Sequence, residues 1–377
     1  MKHHRNKPDF EFIEAPVEFD KHTEKQLLQY CLGATLYMPA TKDFTKVIMN
    51  GEMPGLTSMV MCFEDAIKEE DLPAAEENAA GFLGKVVDAV EAGSLSAQII
   101  PLIFFRVRSP EQFRDISKKL LPRHLKVLAG FVFPKFGTKN AEEYFGHLRA
   151  LNDRFGEIIY GMPILEGREI AFKENRMNEL TGVRQILNRY RDITLNVRVG
   201  ATDLSSCFGV RRGIDYSIYD ILTVRECLSD ILNVFSRDND YIVSGPVWEY
   251  FLASKEMKFG ELSDTGFHSS LLKRNRIFDD AVDGLLREVI LDKANGFVGK
   301  TIIHPTHLRF VNALQAVIKE EYYDAVQILG AAGGVVKSAK ANKMNEIKPH
   351  TSWANKIVMR AKAYGVVEDE SNYLKLF

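Results

Sequence analysis

Apolar runs rich in β-branched and aromatic side chains recur along most of the chain, separated by polar stretches with helical spacing. The runs read as eight strands: ATLYMPA from Ala34, SMVMCFED from Ser58, LIFFRVR from Leu102, GFVFPKF from Gly130, IIYGMPILE from Ile158, LNVRVGATD from Leu195, DYIVSGPVW from Asp240 and TIIHP from Thr301. Most are continuously apolar rather than alternating, as expected of parallel strands covered on both faces. Between them lie helix signals. Ser109-Pro110-Glu111-Gln112 places a hydroxyl at an N-cap, Pro at the first helical position and Gln where it can reach back to the cap. Thr223-Val224-Arg225-Glu226 repeats the capping spacing, and Phe44, Val47 and Ile48 before Gly51 give an apolar face with a C-terminal stop.

Strand and helix therefore alternate, and eight such units over roughly 270 residues match a closed (β/α)8 TIM barrel in count and length. An open doubly wound sheet is the alternative; it loses support because no GxGxxG follows the first strand and no GxxxxGK[ST] occurs. The expected organisation is an N-terminal extension over 1–30, a barrel over 31–320 and a C-terminal helical extension over 321–377. Helices are expected from about Thr306 to Lys343 and from Ser352 to Tyr364. His3 and His4 read as part of a loose polar terminus rather than a metal site.

Composition narrows the function classes. Of 377 residues 46% are hydrophobic and 27% charged, enough for one large core. With 49 basic and 51 acidic residues the net charge is −2, so no long-range field favours nucleic acid or an anionic membrane, and a small substrate is expected. Cys31, Cys62, Cys207 and Cys227 lack CxxC spacing, which fits a reduced cytoplasmic compartment. The leader MKHHRNKPDFEFIEAP has no apolar core, and no run approaches the ~18 apolar residues of a membrane span.

In a TIM barrel the C-terminal strand ends share one mouth, so polar residues closing the apolar runs become site candidates together. They are Glu64 and Asp65, Arg106 and Arg108, Lys135, Glu166, Asp203 and His304. Taken singly, each reads as a solvated strand end. Converging carboxylates repel one another, and a cation relieves them. Glu166 and Asp203, on neighbouring strands with positions left for water and substrate oxygens, suit Mg²⁺, with Mn²⁺ as a substitute. Zinc is disfavoured without HExxH, and a nucleophilic triad without GxSxG or an activated cysteine.

At these residues the sequence resembles the HpcH/HpaI aldolase and citrate lyase β-subunit superfamily. Phe63-Glu64-Asp65-Ala66-Ile67 is similar to the family's LEDAV, Phe105-Arg106-Val107 to VRVN, and Phe133-Pro134-Lys135 to LPK. Pro163-Ile164-Leu165-Glu166 is similar to PLIET, Gly200-Ala201-Thr202-Asp203-Leu204 to GAEDL, and Ile303-His304-Pro305 to IHP. Over its whole length the chain looks most like a branch found with tellurium-resistance gene clusters. The resemblance implies a phosphoenolpyruvate/pyruvate-type TIM barrel, Mg²⁺ on Glu166 and Asp203, and Arg106 gripping a keto-acid carboxylate and enolate oxygen. It implies a carbon–carbon lyase acting on a small keto acid or an acyl-CoA thioester, with Asp65, Glu64 or an acid from the C-terminal extension moving the proton. In that extension Ala341-Asn342-Lys343-Met344-Asn345-Glu346 replaces the family's DGKMID, which in several members lends an acid to a neighbouring subunit. Glu346 takes the place of the last Asp, and a homo-oligomer, trimer or hexamer, follows from the same resemblance.

Departures bear on substrate. The family's strand-one RSxLFVPG is here Gly33-Ala34-Thr35-Leu36-Tyr37-Met38-Pro39-Ala40, without the Arg, while Arg108, Arg211 and Arg212 are added cations. With Lys135 and His304 they form a candidate surface for a more anionic, phosphorylated substrate, against the reading of ordinary surface arginines. Two other classes stay open: a metal- and ligand-binding barrel subunit of a stress or tellurite-resistance complex, and phosphotransfer, which needs a mobile catalytic His domain.

Overall fold

Strand pairing turns the apolar runs into one curved wall. The computed structural model describes residues 3–65, 67–251, 270–271, 277–331, 334–337 and 344–377. In it β1 (Ala34–Pro39), β2 (Ser58–Cys62), β3 (Leu102–Arg106), β4 (Leu128–Phe133), β5 (Tyr160–Leu165), β6 (Arg198–Val199) and β7 (Lys300–Ile302) make a parallel sheet in the order β6-β5-β4-β3-β2-β1-β7. Their register sets Leu36 beside Met59, Met59 beside Ile103 and Cys62 beside Arg106.

The run from Asp240 fills the remaining place without forming a regular strand. Val197 bridges to Val243 and Gly245 to Lys300, both parallel, so the sheet closes into the TIM barrel that the strand count predicts. Pro246 follows at once and has no N–H to extend the ladder, which keeps this member short.

Helices α1 (Leu72–Glu91), α2 (Pro110–Lys119), α3 (Ala141–Phe155), α4 (Lys173–Arg189), α5 (Ala201–Ser206), α6 (Leu222–Phe235) and α7 (Asp280–Asn295) follow the strands. Their apolar faces cover the outer wall: Phe113 of α2 lies 4.5 Å from Phe131 of β4, and Tyr144 of α3 stacks 4.4 Å from Phe133. Burial of such side chains contributes roughly 1.5–3 kcal/mol each. At α2 the Ser109 hydroxyl accepts from the Gln112 N–H at 3.3 Å, while the Gln112 amide oxygen reaches one residue further back, to the Arg108 N–H at 3.1 Å. The capping expected at Thr223 is not made. Helix α6 already starts at Leu222, and the side-chain cap sits earlier, where Ser217 accepts from the Tyr219 N–H.

Beyond the barrel, the helical stretch expected from about Thr306 to Lys343 is α8 (His307–Gln315) and α9 (Lys319–Gly330), followed by a short strand over Val335–Lys337, with residues 338–343 outside those described. Between α8 and α9 the β-branched pair Val317–Ile318 pairs in parallel with Val366–Val367. Helix α10 (Ile347–Tyr364) then crosses the N-terminal end of the barrel. Tyr364 Oη donates to Tyr30 O at 2.6 Å, Lys356 Nζ to Gly296 O at 3.0 Å, and Asn239 Nδ2 to Ser352 O at 2.6 Å, all shortly before barrel strands. The opposite, C-terminal mouth stays open. Nor is the leader loose at His3: this ring is buried, stacks 4.3 Å from Tyr364 and bonds Cys31 O at 3.0 Å. Among the described residues no helix is long and apolar enough to cross a membrane.

Candidate active site

A cavity of about 410 Å³ opens at the C-terminal ends of the strands. Asp65, Arg106, Glu166 and Asp203 line it, so four of the residues singled out by position do share one space. Glu64 and Lys135 join them from the edge.

Arg106, the last residue of β3, is buried at the centre. Its Nη2 pairs with Glu64 Oε2 and lies 3.4 Å from Asp65 Oδ2 and 3.6 Å from Glu166 Oε1. Burial opposes its charge, but Cys62, Glu166 and Glu64 outweigh that and hold its pKa above the ordinary value. Lys135 follows β4 in the left-handed region, with φ 46°, a conformation costing a non-glycine residue on the order of 1–3 kcal/mol. In return its N–H donates to Glu166 Oε1 at 2.8 Å and its ammonium sits 2.9 Å from Glu64 Oε1.

Glu166 is only 3% exposed. Burial, opposed by Arg106 and reinforced by Asp203, pushes its pKa up to about 8. Asp203 is raised as well, by burial and then by Asp65, and Glu64 by burial. Gly200 lets these groups approach: a methyl there would overlap the Glu166 carboxylate and lie 2.6 Å from its Cβ.

When ionised, Glu64, Asp65, Glu166 and Asp203 outnumber Arg106 and Lys135, the cations nearest them among the described residues, by two charges that one divalent cation would supply. Such hard oxygen donors suit an ion of the Mg²⁺ or Ca²⁺ kind, and the buried Glu166 with its half-buried neighbour Asp203 is the pair whose repulsion it would relieve most. No group of three or more His, Cys, Asp or Glu side chains is gathered for an ion among the described residues. A cation here would therefore keep positions for water and substrate oxygens.

Other expected site residues are placed elsewhere. Arg108 turns away from the cavity; its Nε donates to Phe63 O at 3.1 Å and its Nη2 to Ile67 O, clamping the loop that carries Glu64 and Asp65. Arg212 is buried behind the wall, paired with Glu249 and Glu288 under the Trp248 ring at 4.6 Å, in a cluster where Lys300 Nζ also meets Glu288 and Asp292. Arg211 is exposed. His304 lies at the rim, its ring stacked 4.3 Å from Phe251 and its Nδ1 2.8 Å from Thr306 Oγ1. Glu346 is exposed on a short strand paired with Val335, in the extension that covers the other end of the barrel, and does not reach the mouth of its own chain. Residues 341–343 of that motif lie outside the described residues.

The sequence reading missed Arg198, Tyr37 and Glu249, which also line the cavity. Arg198 had a signal: a cation flanked by Val197 and Val199 within a strand run.

Comparison with known proteins agrees with this architecture. CitE from Mycobacterium tuberculosis, in complex with magnesium, acetoacetate and coenzyme A, is 16% identical over 88% of this chain and 99% of its own, with a TM-score of 0.51. At that identity the likeness is one of fold. RipC from Yersinia pestis (15% identity, 76% of this chain and 95% of its own, TM-score 0.46) and the lead(II) complex of Haloferax volcanii malate synthase (14%, 74% and 71%, TM-score 0.48) are more distant. No functionally curated protein matches the chain. Residues 26–366 match the family of C–C bond lyases of the TIM-barrel fold, and the chain belongs to that family.

Proposed function

We propose that the protein is a Mg²⁺-dependent lyase or aldolase that breaks or forms a carbon–carbon bond beside a small keto acid or acyl-CoA-type substrate. The observation that carries this is the pair of desolvated carboxylates Glu166 and Asp203, short of positive charge, beside the buried Arg106. Family membership supplies the reaction class, and the CitE barrel of the same fold binds magnesium and coenzyme A. Mg²⁺, or Mn²⁺ in its place, would sit on Glu166 and Asp203 and polarise the keto oxygen as a Lewis acid.

The chain's own groups do the rest. Arg106 faces the cavity with its charge fixed by three carboxylates, so it stabilises negative charge developing on an enolate oxygen without reorganising. In the cleavage direction a base takes the hydroxyl proton as the carbon–carbon bond breaks, its electron pair becomes the enolate, and a proton returns to carbon. Asp65 is better placed for this than Glu64. It lines the cavity with its carboxylate 61% exposed, whereas Lys135 and Arg106 hold both Glu64 oxygens. Lys135 positions Glu166 through its N–H.

Calorimetric titration of Mg²⁺ into Glu166→Gln and Asp203→Asn tests the metal. Loss of binding in both is expected, and unchanged affinity in both sinks the assignment. Turnover of a keto-acid and acyl-CoA panel by the unaltered protein, abolished in Arg106→Met, tests the chemistry.

A further inference from the structure

On the inner wall of the same cavity, Arg198 has no counter-charge among the described residues. It is 1% exposed and springs from β6 into the barrel interior, where Nη1 donates to Thr35 Oγ1 at 3.4 Å and Nη2 to Thr301 Oγ1 at 2.6 Å. The guanidinium lies 5.5 Å from the Tyr37 ring centroid, and its Nε has no hydrogen-bond partner. Arg106, Arg176 and Arg212 meet carboxylates, Glu64, Asp230 and Glu288; Arg360, buried at the other end of the barrel, donates to Phe297 O instead, and of these only Arg106 shares the cavity with Arg198. No carboxylate lies within 4 Å of Arg198 among the described residues. Two hydroxyls are weak compensation for a desolvated guanidinium. A charge kept in that state beside a cavity is poised for an anion that arrives from outside, and a guanidinium offers the planar donor fork that oxyanions accept.

We infer that Arg198 is the specificity-determining residue of a second anion subsite, and that the substrate is a 2-oxo acid carrying a distal oxyanion, carboxylate or phosphate. This rests on the keto-acid reading of the site: the 2-oxo acid end goes to Glu166, Asp203 and Arg106, and the distal group to Arg198. Apolar side chains of the same cavity, Met38, Ile164, Val247 and Ile303, would lie along the carbon chain. The added cations Arg108 and Arg212 are consumed by carbonyls and carboxylates of the chain itself, so among the described residues the cations lining the cavity are Arg106, held by carboxylates, and Arg198, which is left for the distal charge.

The test compares pyruvate, 2-oxoglutarate and 3-phosphonopyruvate by calorimetry in saturating Mg²⁺, on the unaltered protein, Arg198→Met and Arg198→Lys. The unaltered protein should bind one of the two dianions at least tenfold more tightly than pyruvate, and which one tells carboxylate from phosphate. Arg198→Met should bring that ratio within twofold of unity with pyruvate affinity unchanged, and Arg198→Lys should restore part of it. Because Arg198→Met removes an uncompensated buried charge, its ligand-free melting temperature should equal or exceed that of the unaltered protein. A purely structural Arg198 gives a lower melting temperature and an unchanged ratio, which overturns the inference, as does a lack of preference in the unaltered protein. A metal-free malonate titration read by melting temperature keeps the two proposals apart. Loss of Mg²⁺-dependent pyruvate binding in the unaltered protein overturns the keto-acid reading. A malonate shift equal in the unaltered protein and Arg198→Met overturns the anion subsite.

Discussion

Glu166→Gln separates charge from shape at the centre of the site. The amide keeps an oxygen for the Lys135 N–H, 2.8 Å away in the native chain, and removes only the ionisable group. In the folded, metal-free protein that group titrates at about 8 instead of 4.5, because burial, helped by Asp203, outweighs Arg106. Between these values the folded state holds a proton that the unfolded state has released. Stability of the metal-free protein should therefore fall as pH rises from about 4.5 through about 8, by at most ~1.4 kcal/mol per pH unit from this group. Glutamine cannot titrate, so the variant should lose less stability over that window and be the more stable of the two at pH 9 without metal. Metal reverses the order. Binding requires the carboxylate, so affinity in the unaltered protein should rise by up to about tenfold per pH unit until pH passes about 8. Divalent ion at a hundred times its Kd stabilises by ~2.7 kcal/mol. An unfolding entropy of ~2.1 cal/mol/K per residue turns that into a melting-temperature rise of about 3–4 °C for a chain of this length. Urea and thermal unfolding with and without 10 mM Mg²⁺ at pH 6, 7.5 and 9 read all of this. Parallel pH curves for the two proteins, or a Mg²⁺-induced rise that survives in Glu166→Gln, would falsify the account of a strained carboxylate awaiting a cation.

Four further substitutions probe other parts of the structure. Gly200→Ala places a methyl against the Glu166 side chain; overpacking should cost about 1–3 kcal/mol, and calorimetry should show Mg²⁺ affinity down at least tenfold. Gly81→Ala, in open space on α1, is its control, with a gain of up to ~1 kcal/mol and no change in metal binding. Arg108→Met should speed hydrogen exchange of the amides over 63–67 and lower turnover while leaving 2-oxo acid affinity unchanged; weaker substrate binding with unchanged exchange would return Arg108 to the cavity. Lys300→Met takes the cation from the buried Asp292 and one of two from Glu288, which keeps Arg212, and should cost roughly 3–5 kcal/mol in urea unfolding, with Mg²⁺ affinity untouched.

Local pattern carried the barrel, because a parallel strand buried on both faces is a continuous apolar run and each run declares its own end. Glu64, Asp65 and Glu166 were legible for the same reason, as they stand where Cys62 and Leu165 leave the sheet, whereas Asp203 comes after β6, in the first turn of α5. The cations were not. Arg106 and Arg108 are two residues apart and would share a face on one strand, yet β3 stops at Arg106, and Arg108 bends back to Phe63 O and Ile67 O. Arg211 and Arg212 are adjacent, yet one is exposed and the other is fixed by Glu288, a partner 76 positions away that no local rule supplies. His3 likewise gains its place from distant partners, Phe19, Cys31, Thr57 and Tyr364. A carboxylate at a strand end is aimed by its own strand, whereas a long cationic side chain is claimed by whichever acceptor the tertiary fold brings within reach, so strand ends alone misstate the charge of the mouth. With Arg108, Arg212 and His304 outside the cavity wall and Arg198 within it, a mouth that read as rich in cations becomes an acidic centre with one isolated guanidinium. Such a centre calls for a divalent ion and a single distal oxyanion rather than a densely phosphorylated substrate.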